Sequence, residues 1–496
     1  VIRAIPVAPV AVLLFVIALL LAAVATRGGF MPDDGLRLWA GATMAGTGEV
    51  SIGRIVAAYP SIPFLSTAIV AFVTPVGAPA PALVAAGVFA FVSTFWFARF
   101  CSIGFAVPAA GAAALLLALH PLMLRAVAAG PAEVFFAAFL FMAGTALYDL
   151  RARSNTSEVL TAALAFFGLT FSHPMGAAIT FATVPLLIFA VRPVLVASSA
   201  FNVVLALLFP TVFGIGAFIY VSLVFPGAGW TYFAAPAESL STWNVGFSRI
   251  FGDGPTGLRA LDASMVIAAV LVLGAPVAVA IFCWMIRRRP LIAPPLVFAG
   301  SLICAAATTV FTGMFGDPAA LAVGAPILAA IVLMRAPVVR ERRMIVMTLL
   351  VMGWFGGALS LAIVDPATAL RVSAAIEGRT GDPERGDALA AGGAMIGREG
   401  IVVDSENAPA FIVGRGSARS VFDPSSETFA LTVLFARLDA PYIAVPDPQS
   451  VTGASDRLNK AFPRLYRDGA SGYRVIYQNV SWRIFERVRE NRDHKD

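Results

Sequence analysis

From Val1 to about Val364 the sequence alternates long apolar runs with short charged loops, a pattern that a water-soluble globule does not tolerate. A helix needs about 20 apolar residues to cross ~30 Å of hydrocarbon. Eleven runs serve as candidate spans, at about 5–26, 80–98, 104–119, 132–149, 158–172, 175–191, 197–225, 263–286, 291–313, 318–334 and 345–364. With 59% hydrophobic and 13% charged residues, the chain has too little polar surface for any other solvent. The first run offers small residues at Ala22–Ala25 that a signal peptidase could use, but its length favours an uncleaved span.

One further apolar stretch, 61–77, is decided by parity. If it spans, Arg287–Arg289 and the cluster Arg335, Arg340, Arg342 and Arg343 fall outside. If it does not, both clusters join Arg151 and Arg153 on the cytoplasmic side, as the positive-inside bias requires. The stretch is therefore read as a half-buried surface helix, with Pro60 and Pro63 suited to its start. The N-terminus is then cytoplasmic, and residues 27–79, 226–262 and everything after 364 project outward. Asp33, Asp34, Glu49, Glu133, Glu238, Asp253, Asp262 and Asp317 fall at the outer face, against Asp149, Glu158 and Glu341 at the inner one.

Residues 365–496 read as a small extracytoplasmic α/β domain, periplasmic if the source is a bacterium with the chain in its inner membrane. GIVVD (400–404), APAFIVG (408–414) and APYIAVP (440–446) have the composition of short buried strands. SETFALTVLFARLD (426–439) has helical spacing, and YRVIYQ (473–478) with WRIFERV (482–488) predicts a hairpin. Strands mixed with helices imply an α/β layer structure.

The net charge of +6 does not point to nucleic acid, because lysine is nearly absent and many arginines sit in short loops between apolar runs. Cys101, Cys283 and Cys304 show no metal or CxxC spacing. No P-loop, HExxH or GxSxG occurs, and IVGRGSARS (412–420) holds one GxG only, read as a turn.

Chemistry-bearing residues gather at the outer ends of the spans. Asp33 and Asp34 follow the first span directly. Paired carboxylates beside a bilayer are costly unless solvated, paired or metal-bound. Asp33 can simply cap the helix that follows, or it can act as a base. Arg125 and Glu133 lie eight residues apart across a helix break, and either can be explained by headgroup contact or mutual pairing. His120 and His173 each precede a proline, where histidine commonly terminates a helix. The outer loop 226–262 carries Trp230, Tyr232, Trp243, Arg249 and Arg259, aromatics and arginines fitting either a membrane interface or a sugar-phosphate.

The order of these elements resembles the integral-membrane glycosyltransferases of the C fold type, in particular the protein mannosyltransferase and aminoarabinose transferase branch. The likeness rests on the first span, the acidic pair Asp33–Asp34, Tyr59-Pro60-Ser61-Ile62-Pro63 opening an apolar surface helix, a span ending in Arg99, and His120-Pro121-Leu122-Met123-Leu124-Arg125 followed by Glu133. It covers about residues 1–365. The resemblance implies a polyprenyl-phosphate-linked sugar as donor, and a lipid, glycan or protein as acceptor, within the membrane lipids. It implies Asp33 as base with Asp34 orienting the acceptor, either pair member a candidate ligand for a divalent metal. Arg125, His173, Arg249 and Arg259 would bind the donor phosphate, supported by Glu133, Tyr59 and Asp317. The chain departs from those relatives at Phe171-Ser172-His173-Pro174, where they often show lysine, and at Gly316-Asp317-Pro318, where a basic residue or tyrosine is common. Two other readings compete: a catalytically silent subunit or scaffold of the same architecture, and a transporter or flippase, which the lack of mid-span charges and inverted repeats disfavours.

Overall fold

The computed structural model describes residues 7–27, 30–46, 55, 58–75, 78–153, 155–224, 259–285, 292–335, 343–366, 368, 370, 374, 377 and 381–488. The chain is mostly helical, with the build of a multispanning membrane protein and a small C-terminal sheet. The helices in order are α1 (Val7–Arg27), α2 (Asp33–Gly46), α3 (Ser61–Val73), α4 (Ala80–Ser102), α5 (Val107–Ala118), α6 (Pro121–Ala129), α7 (Pro131–Ala152), α8 (Thr156–Ser172), α9 (Pro174–Thr183), α10 (Leu187–Ala190), α11 (Pro193–Val224), α12 (Arg259–Gly274), α13 (Pro276–Met285), α14 (Ala293–Thr312), α15 (Gly324–Arg335) and α16 (Arg343–Val364). Prolines open α6, α7, α9 and α13, where the missing N–H would have no helical partner.

The eleven expected spans resolve into three kinds of element. Among the described residues, seven are helices long and apolar enough to cross a membrane. Two more are bent pairs, α5–α6 broken by 57° and α12–α13 by 86°. The remaining two, at Thr156–Ser172 and Pro174–Ala190, are shorter apolar helices. Helix α3, assigned by parity to the surface, is 13 residues long and leaves Leu65, Ile69, Phe72 and Val73 exposed. Exposed apolar side chains on α1, α11 and α16, among them Leu20, Phe209, Phe213 and Phe355, are what helix faces turned to lipid require.

Contacts divide the chain into two compact units, one of Val1–Ala23, Val56–Pro63 and Ala82–Ser373, the other of Val24–Ile55, Phe64–Pro81 and Ala374–Asp496. In the first, helices pack closely because small residues line their crossings. A Cβ on Gly144 would lie 2.3 Å from Ile331 Cδ1. Asp149 at the end of α7 pairs with Arg335 at the end of α15, 2.7 Å apart. The opposite end of α7 carries Glu133, and Asp317 caps the 3₁₀ turn that leads into α15.

The second unit is built on a five-stranded sheet, β1 (Ile401–Val402), β2 (Val421–Phe422), β3 (Tyr442–Pro446), β4 (Tyr473–Gln478) and β5 (Trp482–Arg487), in the order β2-β1-β3-β5-β4. Strands β1, β2 and β3 are parallel, and β5 pairs antiparallel with both β3 and β4. Side chains alternate between two cores. Ile401, Val403, Ala444, Trp482 and Ile484 face one side; Val402, Ile443, Val445 and Phe485 face the other. The first face is covered by α17 (Pro383–Gly393), α18 (Pro409–Arg415) and α2; the second by α19 (Glu427–Phe435), α21 (Arg457–Ala461) and α22 (Leu465–Asp468), with α20 (Val451–Ser455) preceding α21 in the chain.

Two expectations change. Residues 408–414, read as a strand, form helix α18: Pro409 opens it and Gly416, at φ +67°, ends it in the left-handed conformation. The apolar run is short and uninterrupted, so its periodicity could not separate a buried helix from a buried strand. The acidic-pair helix α2 also belongs to the second unit, burying Met31, Leu36, Trp39 and Ala40 in the same core as Phe411 and Trp482. The expected hairpin 473–488 and the helix within 426–439 are present as β4–β5 and α19.

Candidate functional site

Each unit carries part of the residue set singled out by sequence. In the first, Arg125 is the hub. It projects from α6, whose chain turns at Gly130 with φ +113°, a conformation open to glycine, before α7 begins. That turn returns Glu133 to the arginine, and the two form a salt bridge. The Nε donates to Asp365 Oδ2 at 2.8 Å, one residue past the end of α16. Asp317, the N-cap of the 3₁₀ turn Pro318–Val323, accepts from Ala319 N at 2.8 Å and also interacts electrostatically with Arg125.

His173 completes the group, close enough for its imidazole to interact electrostatically with Arg125. Its Nδ1 accepts from Met175 N at 3.2 Å, capping α9, and its ring lies 5.2 Å from Phe136. With Nδ1 committed to the cap, only Nε2 remains for a ligand. The structure thus gathers Arg125 from within α6 with Glu133, Asp317 and His173 from three helix ends. Sequence reasoning missed Asp365, read as the start of the C-terminal domain. Its position directly after the last span, at the same face as Glu133 and Asp317, was the available signal.

The electrostatics of this group are not those of an open anion site. Arg125 is buried, with side-chain exposure of 7%, and faces three carboxylates. One guanidinium against Glu133, Asp365 and Asp317 carries excess negative charge when all are ionised. A phosphate entering here must displace a carboxylate or arrive with a counter-cation. Losing either direct partner would leave a buried charge short of compensation, at a cost of about 3–5 kcal/mol.

In the second unit Asp33 and Asp34 occupy the first turn of α2, where acidic side chains complement the helix dipole. Both are exposed. Asp33 is 65% exposed, and Arg385 Nη2 donates to its Oδ1 at 2.7 Å. The same guanidinium donates through Nη1 to Met31 O at 2.6 Å, so Arg385 clamps the start of α2. Desolvation by the surrounding chain raises the Asp34 carboxyl above the usual range, and neighbouring Asp33 adds to this, while Arg37 opposes it. Asp33 therefore has the geometry of a reachable base, and Asp34 beside it is exposed as well. A metal held by this pair has little support: the cation beside Asp33 is Arg385, and no group of three or more His, Cys, Asp or Glu able to hold a metal occurs among the described residues.

The other assigned residues lie apart from these groups. Tyr59 is buried with Phe171 and Phe218, and its hydroxyl donates to Thr170 O at 2.8 Å. Its role is to anchor the chain leading into α3 by packing. Arg259 is exposed at the start of α12. Arg249, together with Trp230, Tyr232 and Trp243, lies outside the described residues. Compared with known proteins, the chain matches no family model and no curated sequence.

Proposed function

We propose that this protein is a membrane glycosyltransferase that moves a sugar from a polyprenyl-phosphate carrier to a lipid, glycan or protein acceptor at the outer face of the membrane. The observation that carries this reading is the state of Asp33. It is an exposed carboxylate at a fixed helix start, directly after the first apolar helix, with a guanidinium holding its orientation. A base for an acceptor hydroxyl needs that exposure and that orientation. The buried Arg125 group supplies the second element of the reading, a guanidinium fork suited to phosphate oxygens.

The test is Asp33→Asn in the full-length protein, assayed for transfer from polyprenyl-phosphate sugars in vesicles. Loss of transfer by at least about a hundredfold, the usual scale for a general base, with unfolding unchanged, supports the assignment. Full activity removes Asp33 as base.

A second reading, a catalytically silent scaffold of the same architecture, is favoured by one observation: Arg125 already has two carboxylate partners. Polyprenyl phosphate that fails to bind the wild-type protein at any lipid fraction would select the scaffold.

A further inference from the structure

Two of the apolar helices are broken, α5–α6 at Leu119–His120 and α12–α13 after Gly274. A break inside an apolar environment strands backbone N–H and C=O groups, and each must find another partner. His120 meets this need at both breaks. Its Nδ1 accepts from Leu122 N at 3.3 Å, capping α6. That bond places the imidazole proton on Nε2, which faces Gly274 O at 3.2 Å and Gly353 O at 3.0 Å. Both partners are carbonyls and can only accept, so the geometry requires the neutral Nε2–H tautomer. A protonated ring would turn an Nδ1–H against the Leu122 N–H. Beside it, Trp354 Nε1 donates to Leu119 O at 2.7 Å, satisfying the carbonyl at the same break.

The surroundings are shaped to this ring. His120 is 2% exposed. A Cβ on Gly357 would stand 2.3 Å from its Cε1, and one on Gly353 would stand 2.8 Å from Gly274 O. Helix α16 therefore approaches the breaks along a face of glycines. The consequence reaches the candidate site, because α6 and α16 are joined twice. His120 at the start of α6 bonds Gly353 within α16, and Arg125 farther along α6 bonds Asp365 just past the end of α16. The first link sets the alignment in which the second can form.

We propose that His120 is a positioning residue, a neutral imidazole bolt that holds both broken helices to α16 and so fixes Arg125 for the phosphate of a lipid-linked donor. The phosphate part rests on the function proposed above; the bolt does not.

Two substitutions separate the ring's two jobs. His120→Asn keeps an acceptor for the Leu122 N–H but cannot reach the carbonyls. His120→Gln keeps a donor at the reach of Nε2 and weakens the cap. In full-length protein in nanodiscs, hydrogen exchange over residues 122–130 and polyprenyl-phosphate binding are measured for both, alone and combined with Arg125→Lys. The bolt predicts faster exchange and about tenfold weaker binding in His120→Asn, the loss of roughly one good hydrogen bond, with substantial rescue in His120→Gln. It also predicts that His120→Asn adds little once Arg125→Lys is present, since the two act in one unit. Unchanged exchange in His120→Asn overturns the bolt. Additive effects overturn the link to Arg125 and leave only a contribution to stability. If the wild-type protein binds no polyprenyl phosphate, the proposed function fails, and the exchange cycle alone decides whether His120 positions Arg125.

Discussion

Replacing Asp456 with Asn should stabilise the sheet unit at neutral pH, the opposite of what removing a helix-capping acid normally does. Asp456 is the N-cap of α21, its Oδ1 accepting from Asn459 N at 2.8 Å, and it is fully buried. Its Oδ2 has no hydrogen-bond partner among the described residues, nor does Oδ1 of the buried Asp404. Asp404 Oδ2 accepts from Arg457 N at 3.0 Å on the first turn of the same helix, so two carboxylates crowd one short N-terminus. Arg457 lies 3.9 Å from Asp404 Oδ1 and directs its other nitrogen to Glu406 at 2.7 Å. Burial, assisted by the charge of Asp404, pushes the Asp456 carboxyl up from 3.8 to about 7.

The sign follows from linkage. Between those two values the folded state holds a proton that the unfolded chain has released, so stability falls as pH rises through that window and levels off above about 7. A shift of roughly three pH units corresponds to about 4 kcal/mol at most, and relaxation around the ionised group reduces it. Asparagine keeps the capping oxygen and carries no charge. Asp456→Asn should therefore match wild type near pH 4 and exceed it by about 1–4 kcal/mol at pH 8. The assay is hydrogen exchange of amides in β3 and β5 in the full-length protein, corrected for the intrinsic pH dependence of exchange. A variant less stable than wild type at pH 8 would refute the reasoning, since it would mean that the ionised carboxylate has a partner such as a bound cation.

Two further outcomes can be measured in the same way. A Cβ on Gly392 would stand 2.1 Å from Phe411 O and 2.8 Å from Arg415 N, both backbone atoms of α18, so Gly392→Ala must push α17 and α18 apart. It should destabilise the sheet unit by about 2 kcal/mol or more, read as lost exchange protection in α18, and an unchanged value would deny the close crossing. Arg385→Ala removes the pair with the exposed Asp33 carboxylate and also the hydrogen bond to Met31 O from a side chain only 16% exposed, so its stability cost should reach about 1–2 kcal/mol, short of unfolding the unit. Transfer activity should nevertheless drop if the clamp orients Asp33, and full activity with Ala would separate the clamp from catalysis.

The apolar periodicity was enough to read a multispanning helical architecture, and the order of charges along the chain put Glu133 and Asp317 among the helix-end residues. These are one-dimensional quantities, set by helix length, hydropathy and the order of charges along the chain. The hairpin at 473–488 was legible for a similar reason, since its strand-forming residues flank a short turn. What tertiary structure alone decided are pairings between distant residues. Asp365 meets Arg125 across 240 positions and Arg385 reaches Asp33 across 352, and neither pairing leaves a local pattern. The buried run 408–414 became a helix because its neighbours cover every side of it, which erases the periodicity that would have announced it. His120 shows the same limit most plainly. Before a proline it looks like an ordinary helix terminus, and only the arrival of Gly274 and Gly353, 154 and 233 residues later, turns its second nitrogen into a tie between two broken helices. Local physics selects the elements; which of their polar atoms must satisfy one another is settled when the helices pack and water is excluded.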